Sequence, residues 1–454
     1  MTPPGTPSGP SPGTPAGDIG PMRAPGGPGM LDGLRVIEIA DERGEYAGLL
    51  LAGLGAEVIK IEPPEGARTR AIPPFYEDVA GPDRSLFFWA YNRGKRSVVL
   101  DLDAADGRAR LLDLLGEADV LLDTTDGAVA AQFGLDRAAL AARFPTLVIA
   151  RATPFGDTGP WRDFKASDLI HLALGGEMMD CGYDPDPKLR YDTPPIAPQA
   201  WHAYHIAGEQ LAVGVIAALL HRARTGEGQD VSISIHEACA KNTELDVMFW
   251  VMRRAPLWRL TCRHAVEAAN HTPSISHTKD GRWFISHSMG ARDLAHMVPF
   301  LSRYGMEADL QPPPPEADLK ARTIPGSAVG NETRAHQLDV TQRFVRAWTY
   351  ADMPWLEAQE AGLLWAPLRK PHENAEDPHW LTRRSYADIP HPEFGCSFRY
   401  PVSKWLSTET AWQPGRRAPL LGEDTVAVLG AAPRPPRVPA ATLSAAVRPA
   451  TVQG

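Results

Sequence analysis

The most informative hydrophobic pattern in this chain runs from Trp201 to Ala238. From Ile206 onward, large apolar residues recur at helical spacing, and alanine and glycine fill the remaining faces of the same helix. A helix that is apolar on nearly every side is typical of a protein core. Cationic residues followed by Gly226 suit the end of that helix. The alternating segment QDVSISI that comes next predicts a strand.

Strands and helices alternate through the first half of the chain. Consecutive parallel strands require a right-handed crossover, and strands that are apolar on both sides must be covered on both faces. We therefore predict an α/β fold with a doubly wound parallel sheet. The predicted strands are Leu34–Ala40, Glu57–Glu62, Ser97–Leu102, Ala118–Thr124 and Thr146–Thr153, and the predicted helices are Gly44–Ala56, Ala104–Gly116 and Gly134–Phe144.

A ligand of such a sheet is expected beyond the carboxyl ends of the strands. In this sequence those ends fall at Asp41–Gly44, Pro63–Arg70, Thr124–Gly127 and Pro154–Gly159. The first turn, ADERGEYAG, lacks the glycine triplet that lets a pyrophosphate approach the backbone. The pattern therefore argues against a dinucleotide site of the usual kind.

The second half predicts a smaller α+β domain. A helix is expected over Ser167–Gly175, and Asp280-Gly281 predicts the turn of a hairpin over His277–His287. Residues Met289–Glu360 are expected to be mostly helical, and Ala361–Lys370 to be a strand. We expect a disordered tail at 1–29, the first part of the large domain at 30–240, a linker and the small domain at 241–375, a return to the large domain at 376–430, and a disordered tail at 431–454.

Composition narrows the class of protein. A net charge of −9 argues against nucleic acid as a main partner, and no apolar run reaches membrane-spanning length. The four cysteines are far apart, which predicts neither a metal site nor a disulfide framework. The proline-rich first residues lack the apolar core of a signal peptide. We expect a soluble cytoplasmic protein with reduced thiols.

The start of the long apolar helix carries the first candidate catalytic groups. Tyr204 offers a phenol that can hydrogen-bond a substrate oxygen, and His205 offers an imidazole that can move a proton near neutral pH. Glu209 lies one turn after His205 on the same face, where it could orient the imidazole or act as an acid. Packing of the tyrosine and histidine, and simple exposure of Glu209, are open alternatives. His202 and His205 lack a third ligand at useful spacing, so we predict no metal site.

Seven blocks of this sequence resemble the family III CoA-transferases, the group that includes formyl-CoA transferase, carnitine CoA-transferase and the α-methylacyl-CoA racemases. They follow the family's order from about Leu31 to Leu429, so the resemblance covers nearly all of the globular chain. The blocks are LAGLGAEVIKIEPPEGARTR, NRGKRSVVLDLDAADGRARLL, PFGDTGPWRDFKASDL, AVGVIAALLHRARTGEGQDVSISIHEA, TKDGRW, APLRKPHENAEDPHW and APLLGEDT.

The resemblance implies a Rossmann-like large domain, a small α+β domain and two chains interlocked as a homodimer or as a heterodimer with a paralogue. It also implies acyl-CoA and carboxylic acid substrates, coenzyme A as the group transferred, and no permanently bound metal or cofactor. In this family a carboxylate attacks the thioester to give a mixed anhydride and free CoA thiolate, which divides one difficult displacement into easier steps.

The sequence departs from the family where the nucleophile is expected. The family's aspartate should fall at Ala203 or Tyr204, and neither is a carboxylate. The His-Asp pair of the racemases appears as Ser167-Asp168, so only the acid is retained. Asp168 is the acid we predict to be active, with helix capping as its alternative. Glu42 occupies the first turn, where the family places a polar residue against the thioester, and it could instead serve the helix N-terminus.

The positions expected to contact CoA match the family only in part. Lys95 and Lys165 match cationic positions suited to phosphates, and Arg96, Arg70 and Thr124 lie in the matching segments. Lys95 and Arg96 could alternatively form a solvated turn. The arginine expected near the adenine appears as Gln132, the usual NF(R/G)PG segment appears as TTDGA, and the glycine-rich loop before TKDG appears as EAANHTP.

Three functions stay open at the level of sequence. The first is an acyl-CoA transferase in which a displaced acid replaces the missing aspartate. The second is epimerisation of an acyl-CoA, with Asp168 and His205 as acid and base. The third is a non-catalytic CoA-binding subunit that partners a chain retaining the aspartate.

Overall fold

The structure is a computed structural model, and it describes residues 27–126, 131, 137–183, 186, 190, 192–260, 263–266, 275–286, 294–306, 310, 328–402 and 405–432. The chain divides into two compact units. Unit 1 comprises Met1–Arg151, Leu211–Val231 and Ala375–Gly454, and unit 2 comprises Ala152–Gln210 and Ser232–Asn374. The predicted tails lie outside the described residues except for 27–29 and 431–432, and Gln132 and the EAANHTP segment lie outside them entirely.

A six-stranded sheet organises the first half of the chain in the order β3-β2-β1-β4-β5-β6. The ladders that join β1 to β2 and β4, β2 to β3, and β4 to β5 are parallel. This order confirms the predicted doubly wound α/β fold. The strands are β1 (Arg35–Ile39), β2 (Glu57–Glu62), β3 (Arg96–Val99), β4 (Val120–Asp123), β5 (Val148–Thr153) and β6 (Asp230–Ser234).

Helices follow the strands as the crossover connections require. The first four are α1 (Glu45–Gly53), α2 (Leu86–Tyr91), α3 (Ala105–Gly116) and α4 (Arg137–Arg143), and the next four are α5 (Asp168–Leu174), α6 (His202–Thr225), α7 (Ile235–Ala240) and α8 (Glu244–Arg253). Helix α6 is the long apolar helix that the sequence predicts. It is long and apolar enough to cross a bilayer, but half of its most apolar window is buried inside the protein, as in a core helix.

The later part of unit 2 is a small α+β body, as predicted. Strands β7 (Trp258–Leu260) and β8 (Arg263–Val266) form one antiparallel pair. Strands β9 (Ile275–His277), β10 (Trp283–Ser286) and β11 (Trp365–Pro367) form an antiparallel sheet that packs with α9 (Leu294–Ser302), α10 (Ala328–Arg346) and α11 (Trp355–Glu360). The predicted hairpin is present, whereas the predicted strand over Ala361–Lys370 is only the three residues of β11.

The end of the chain returns to unit 1 and covers an edge of the large sheet. Its elements are α12 (Pro378–Thr382), β12 (Tyr386–His391), β13 (Cys396–Pro401) and α13 (Thr425–Leu429). The backbone N–H of Ser97 in β3 donates to Asp424 at 3.0 Å, and that of Val99 donates to the Thr425 hydroxyl at 3.0 Å. Asp424 and Thr425, near the end of the chain, therefore bind backbone N–H groups on the outer edge of β3. Such groups would otherwise be free to pair with a strand of another chain.

Each unit has its own hydrophobic core. In unit 1, thirteen buried side chains from the sheet and its helices form one cluster, in which Ile37, Ile59, Leu111 and Leu121 are fully buried. In unit 2, an equally large cluster surrounds Phe300 and Trp365. Burial on this scale supplies most of the stabilisation, at roughly 25 cal/mol per Å² of apolar surface removed from water.

Candidate active site

The large sheet has its topological switch point between β1 and β4, because the chain continues from β1 to one side and from β4 to the other. Ligands of open α/β sheets bind beyond the carboxyl ends of the strands at such a point. Residues 40–44 follow β1, and Thr124 follows β4. The structure therefore places Glu42 and Thr124 of the predicted residues together at this edge.

Arg43 links the two loops at the switch point. Its Nε donates to the Asp41 carboxylate at 3.0 Å, its Nη1 donates to Asp126 at 3.0 Å, and its Nη2 donates to the carbonyl of Thr124. The Thr124 hydroxyl donates to Asp41 at 3.0 Å. Burial opposes the charge of Asp41, but the Arg43 guanidinium holds the pKa of Asp41 below its ordinary value. The turn thus presents charged side chains where a dinucleotide-binding turn presents glycine backbone.

Glu42 is a carboxylate whose partner is readily displaced. Only 12% of its side chain is exposed, and both of its oxygens accept hydrogen bonds from Arg68. The Arg68 side chain is 64% exposed, so this ion pair contributes little stability. Burial, followed by repulsion from Asp41, raises the pKa of Glu42. A substrate could therefore replace Arg68 and meet a carboxylate of raised basicity.

Arg70 lies at the carboxyl end of β2 and is engaged inside unit 1. Its guanidinium donates to Glu62 at 2.6 and 2.7 Å and to Asp83 at 2.9 Å. It also stacks over the Phe88 ring at 3.8 Å from the centroid. With 3% of the residue exposed, Arg70 braces the loop after β2 and does not present a free cation to a phosphate.

Lys95, which the resemblance places near a phosphate, is engaged by partners inside unit 1. Lys95 is fully buried, and its Nζ lies 2.8 Å from the Glu38 carboxylate, 2.9 Å from the carbonyl of Glu45 and 3.0 Å from Asn92. Burial lowers the pKa of Lys95, against the opposing charge of Glu38. The lysine closes an internal ion-pair network, in which Lys60 pairs with the same Glu38 at 3.1 Å.

Arg96, also predicted to contact CoA, lies at the end of its strand that is opposite the ligand edge. It begins β3 and pairs with Glu57, the first residue of β2, at 2.7 Å, and with Asp424 at 3.4 Å. The amino ends of parallel strands lie opposite the edge that binds ligands. Lys165, in unit 2, is exposed and stays the one predicted phosphate ligand whose side chain faces solvent.

In unit 2, Asp168 joins two helices. It is the first residue of α5, but its carboxylate accepts hydrogen bonds from the backbone N–H groups of Trp201 at 3.1 Å and Ala203 at 2.9 Å. Burial raises the pKa of Asp168, while these backbone donors oppose the increase. The acid therefore caps the start of α6, the helix that carries Tyr204 and His205. The sequence analysis left helix capping open as the alternative role of Asp168, and the helix that its carboxylate caps is α6.

Tyr204 lies in an aromatic cluster that the sequence did not reveal. Its ring is 6.2 Å from the ring of His171 and 6.0 Å from that of Trp201. His171 is buried, and Phe155 lies 5.4 Å from it and 5.3 Å from His236. The sequence analysis singled out neither His171 nor His236. The position of His171 three residues after Asp168, on a shared helix face, is a signal that could have pointed to it.

The other residues predicted at the start of α6 differ in burial. His205 is half-buried, and Glu209 is exposed, as its alternative interpretation expected. Neighbouring His202 lies 3.6 Å from the nearly buried Glu177. Burial, followed by the charge of Glu177, raises the pKa of Cys239 to about 12, so this thiol is not a nucleophile. Within the described residues, no group of three or more His, Cys, Asp and Glu side chains is arranged to hold a metal ion.

The sequence of residues 31–425 matches the family described as CoA-transferase family III. The chain belongs to this family. The subunit BbsE of succinyl-CoA:(R)-benzylsuccinate CoA-transferase from Thauera aromatica is 30% identical, over 87% of this chain and 92% of the relative. A succinyl-CoA:mesaconate CoA-transferase from Haloarcula hispanica is 29% identical, over 88% of this chain and 96% of the relative.

A solved structure has the same fold as this family III chain. The crystal structure of a CAIB/BAIF family protein from Brucella suis aligns with a TM-score of 0.70 and 24% identity, and it covers 88% of this chain and 98% of that protein. Fold and family are thus shown, and the family assignment made from the seven sequence blocks is confirmed.

Proposed function

We propose that this protein is a CoA-transferase that moves coenzyme A from a succinyl-CoA-like thioester to a second carboxylic acid. The proposal rests on one observation: a family III match runs through nearly the whole chain, and both relatives described above are named for succinyl-CoA-dependent transfer. In this proposal coenzyme A is substrate, and the enzyme works as a soluble cytoplasmic protein without a resident cofactor.

We propose Glu42 as the carboxylate that replaces the family's aspartate. It lies at the ligand edge of the sheet, its pKa is raised, and the exposed Arg68 is the side chain that donates to its oxygens. Asp168 supports the alternative less well, because backbone N–H groups of α6 already occupy its carboxylate. In this scheme Asp168 is a positioning residue that fixes the helix start on which Tyr204 and His205 stand.

The proposed reaction is balanced without an external proton or electron. A Glu42 oxygen attacks the thioester carbonyl carbon, the C–S bond breaks, and a mixed anhydride and CoA thiolate form. The thiolate attacks the Glu42 acyl carbon and releases the first acid, which leaves a glutamyl-CoA thioester. The second acid repeats these steps in reverse, so that its carboxylate ends as the new CoA thioester and Glu42 is restored.

We propose a second chain as a structural partner, with α8 as part of the interface. Six apolar side chains of this helix are between 51% and 75% exposed, which is unusual for a soluble chain on its own. They are Leu245, Val247, Met248, Trp250, Val251 and Met252. The partner is a second copy, in the interlocked arrangement that the family resemblance implies, or a paralogue. The paralogue is favoured by one observation, that the relative from Thauera aromatica is named a subunit.

The nucleophile and the activity are tested together. The purified chain is incubated with succinyl-CoA and a panel of dicarboxylic acids, and new CoA thioesters are measured by mass spectrometry. Hydroxylamine added during turnover should convert Glu42 to a hydroxamate, identified by peptide mapping. We expect Glu42→Gln to abolish transfer and trapping, because an amide cannot form the anhydride.

Asp168→Asn is the matched control. It should keep both the hydroxamate at position 42 and most of the transfer activity. A hydroxamate at Asp168 instead would overturn the assignment of Glu42. If the chain alone shows no transfer activity but becomes active when a paralogous chain is added, the protein is a subunit of a hetero-oligomeric enzyme and the homomeric proposal is overturned.

A further inference from the structure

A cavity outside the candidate active site lies in unit 1, beside β12. Its volume is about 200 Å³, and its walls are mainly aromatic and aliphatic. The rings of Trp405 and Trp412 meet edge to face, with centroids 5.0 Å apart. Tyr386, Val402 and Leu406 belong to the apolar lining, and Arg384 is the charged residue among the described residues that line the cavity. Trp405 is 40% exposed, so part of its side chain is accessible to a ligand.

The N-terminal segment of the chain reaches the wall of this cavity. The backbone N–H of Ala411 donates to the carbonyl of Pro28 at 3.0 Å, and the Gln413 amide donates to the carbonyl of Gly27 at 2.9 Å. Met30 lines a smaller cavity, and Trp405 and Trp412 line both this cavity and the one described above. The 26 residues that precede Gly27 are therefore joined to the described chain close to the two tryptophans.

Those 26 residues contain prolines in a threefold repeat. Pro4, Pro7 and Pro10 recur every third residue, and no charged side chain occurs before Asp18. A polyproline II helix has three residues per turn, so these three prolines would share one face. Aromatic grooves recognise this type of proline face, because the extended conformation is already formed and loses little entropy on binding.

We propose that residues 4–10 of the N-terminal segment bind the Trp405/Trp412 cavity of the same chain in the polyproline II conformation. The proline face contacts the open side of Trp405, and the uncharged sequence brings no cation against Arg384. The C-terminal segment also has prolines at a spacing of three, at Pro433, Pro436 and Pro439, but Arg434 and Arg437 lie between them. Charge therefore favours the N-terminal segment as the occupant.

The residues between Pro10 and Gly27 are long enough to let the proline segment reach the cavity, and this tether raises the effective concentration of the segment. Sixteen residues lie between Pro10 and Gly27 in the sequence. In an extended polyproline conformation this connection reaches up to about 50 Å, at ~3.1 Å per residue. A tethered ligand of this kind has an effective concentration on the order of 1 mM. Modest intrinsic affinity is then enough to keep the cavity occupied.

The test uses the full chain and a synthetic peptide of residues 1–17. Peptide binding is measured by calorimetry for the unmodified chain, for the triple variant Pro4→Ala, Pro7→Ala, Pro10→Ala, and for the control variant Pro12→Ala, Pro15→Ala, Pro21→Ala. If the tail occupies the cavity, the first variant should bind the peptide about ten-fold more tightly than the unmodified chain, for an intrinsic Kd near 0.1 mM and the effective concentration above. The control variant should behave like the unmodified chain.

A fourth chain carries Trp405→Ala together with the first triple substitution, and it should lose peptide binding. Trp405 is chosen because it is partly exposed, whereas Trp412 lies against Gly53, where its ring is 2.0 Å from the position of an added Cβ. Equal affinity of all three proline forms would overturn the proposal, as would unchanged binding after loss of Trp405. If the weaker peptide binding of the unmodified chain disappears when the protein is diluted, the cavity is occupied by the N-terminal segment of a second copy. That result would overturn the same-chain proposal.

Discussion

Asp168 and Ala203 are joined by a hydrogen bond of 2.9 Å, from the backbone N–H at the start of α6 to the carboxylate at the start of α5. The bond makes one acidic side chain the cap of a helix 35 positions further along the chain. We predict that Asp168→Ala lowers the free energy of unfolding by about 1 kcal/mol, the usual effect of removing such a cap.

Asp168→Asn distinguishes capping from chemistry, because asparagine caps helices about as well as aspartate. Urea denaturation should show Asp168→Asn close to the unmodified chain and Asp168→Ala clearly below it. If Asp168→Asn instead has full stability and no transfer activity, the carboxylate itself takes part in the reaction.

The buried pair of Lys95 and Glu38 gives the second prediction. Removing one member of a buried ion pair leaves an uncompensated charge and commonly costs about 3–5 kcal/mol. We expect this loss of stability for Lys95→Met, and partial recovery when Glu38→Gln is added. Lys165→Met, at an exposed position, should change stability by less than about 0.5 kcal/mol. Equilibrium denaturation measures all three, and a stable Lys95→Met variant with weakened CoA binding would restore the phosphate interpretation.

The third prediction concerns pH and follows from the proposed role of Glu42. The ionised carboxylate is the nucleophile, and burial together with Asp41 raises its pKa. Activity should therefore fall as the pH decreases through that raised pKa, above the ordinary carboxyl value of 4.5. Arg68 opposes the increase, so Arg68→Met should move the acid limb of the kcat/KM profile to higher pH, whereas Arg68→Lys should move it less. An acid limb that is unchanged in Arg68→Met would argue against Glu42.

The fourth prediction concerns the apolar side chains of α8. A charged residue buried in an interface without a partner is strongly unfavourable, so Trp250→Glu should shift the protein towards the monomer. Light scattering after size-exclusion chromatography measures the mass. Val426→Glu is the control, since Val426 lies in α13 and is 87% exposed. A monomeric unmodified chain would contradict the homodimer and leave the paralogue as the proposed partner, and an unaffected dimer in Trp250→Glu would place the interface elsewhere.

Much of the α/β fold could be predicted because each strand of the large sheet is a continuous apolar run. Strand β2 has the predicted bounds, Glu57–Glu62. Strands β1, β4 and β5 are shorter than predicted by one or two residues at one or both ends, and β3 begins one residue earlier and ends three residues earlier than predicted. Strands that are buried on both faces leave little doubt about their type. The hairpin of β12 and β13 was not predicted, since Pro390 within the segment reads as an interruption of a strand.

The site was harder to predict, because its side chains meet only through tertiary contacts. The sequence singled out Lys95 as a cation near phosphates, but a lysine beside a glycine turn looks the same whether it points to solvent or to buried Glu38. The exposed Arg68 partner of Glu42 is likewise set by how the loop after β2 folds back on the first turn. Periodicity indicates which residues are buried, and it does not indicate which buried charges pair.

The outer edge of β3 is closed by Asp424 and Thr425, and 326 positions separate Val99 from Thr425. At about 5–20 residues per second, a ribosome needs roughly 15–65 s to make the intervening chain. During that interval the outer edge of β3 in the nascent chain has unpaired backbone groups that another strand could bind. We therefore expect a chain that ends shortly before Asp424 to keep this edge unprotected and to aggregate more readily than the full chain.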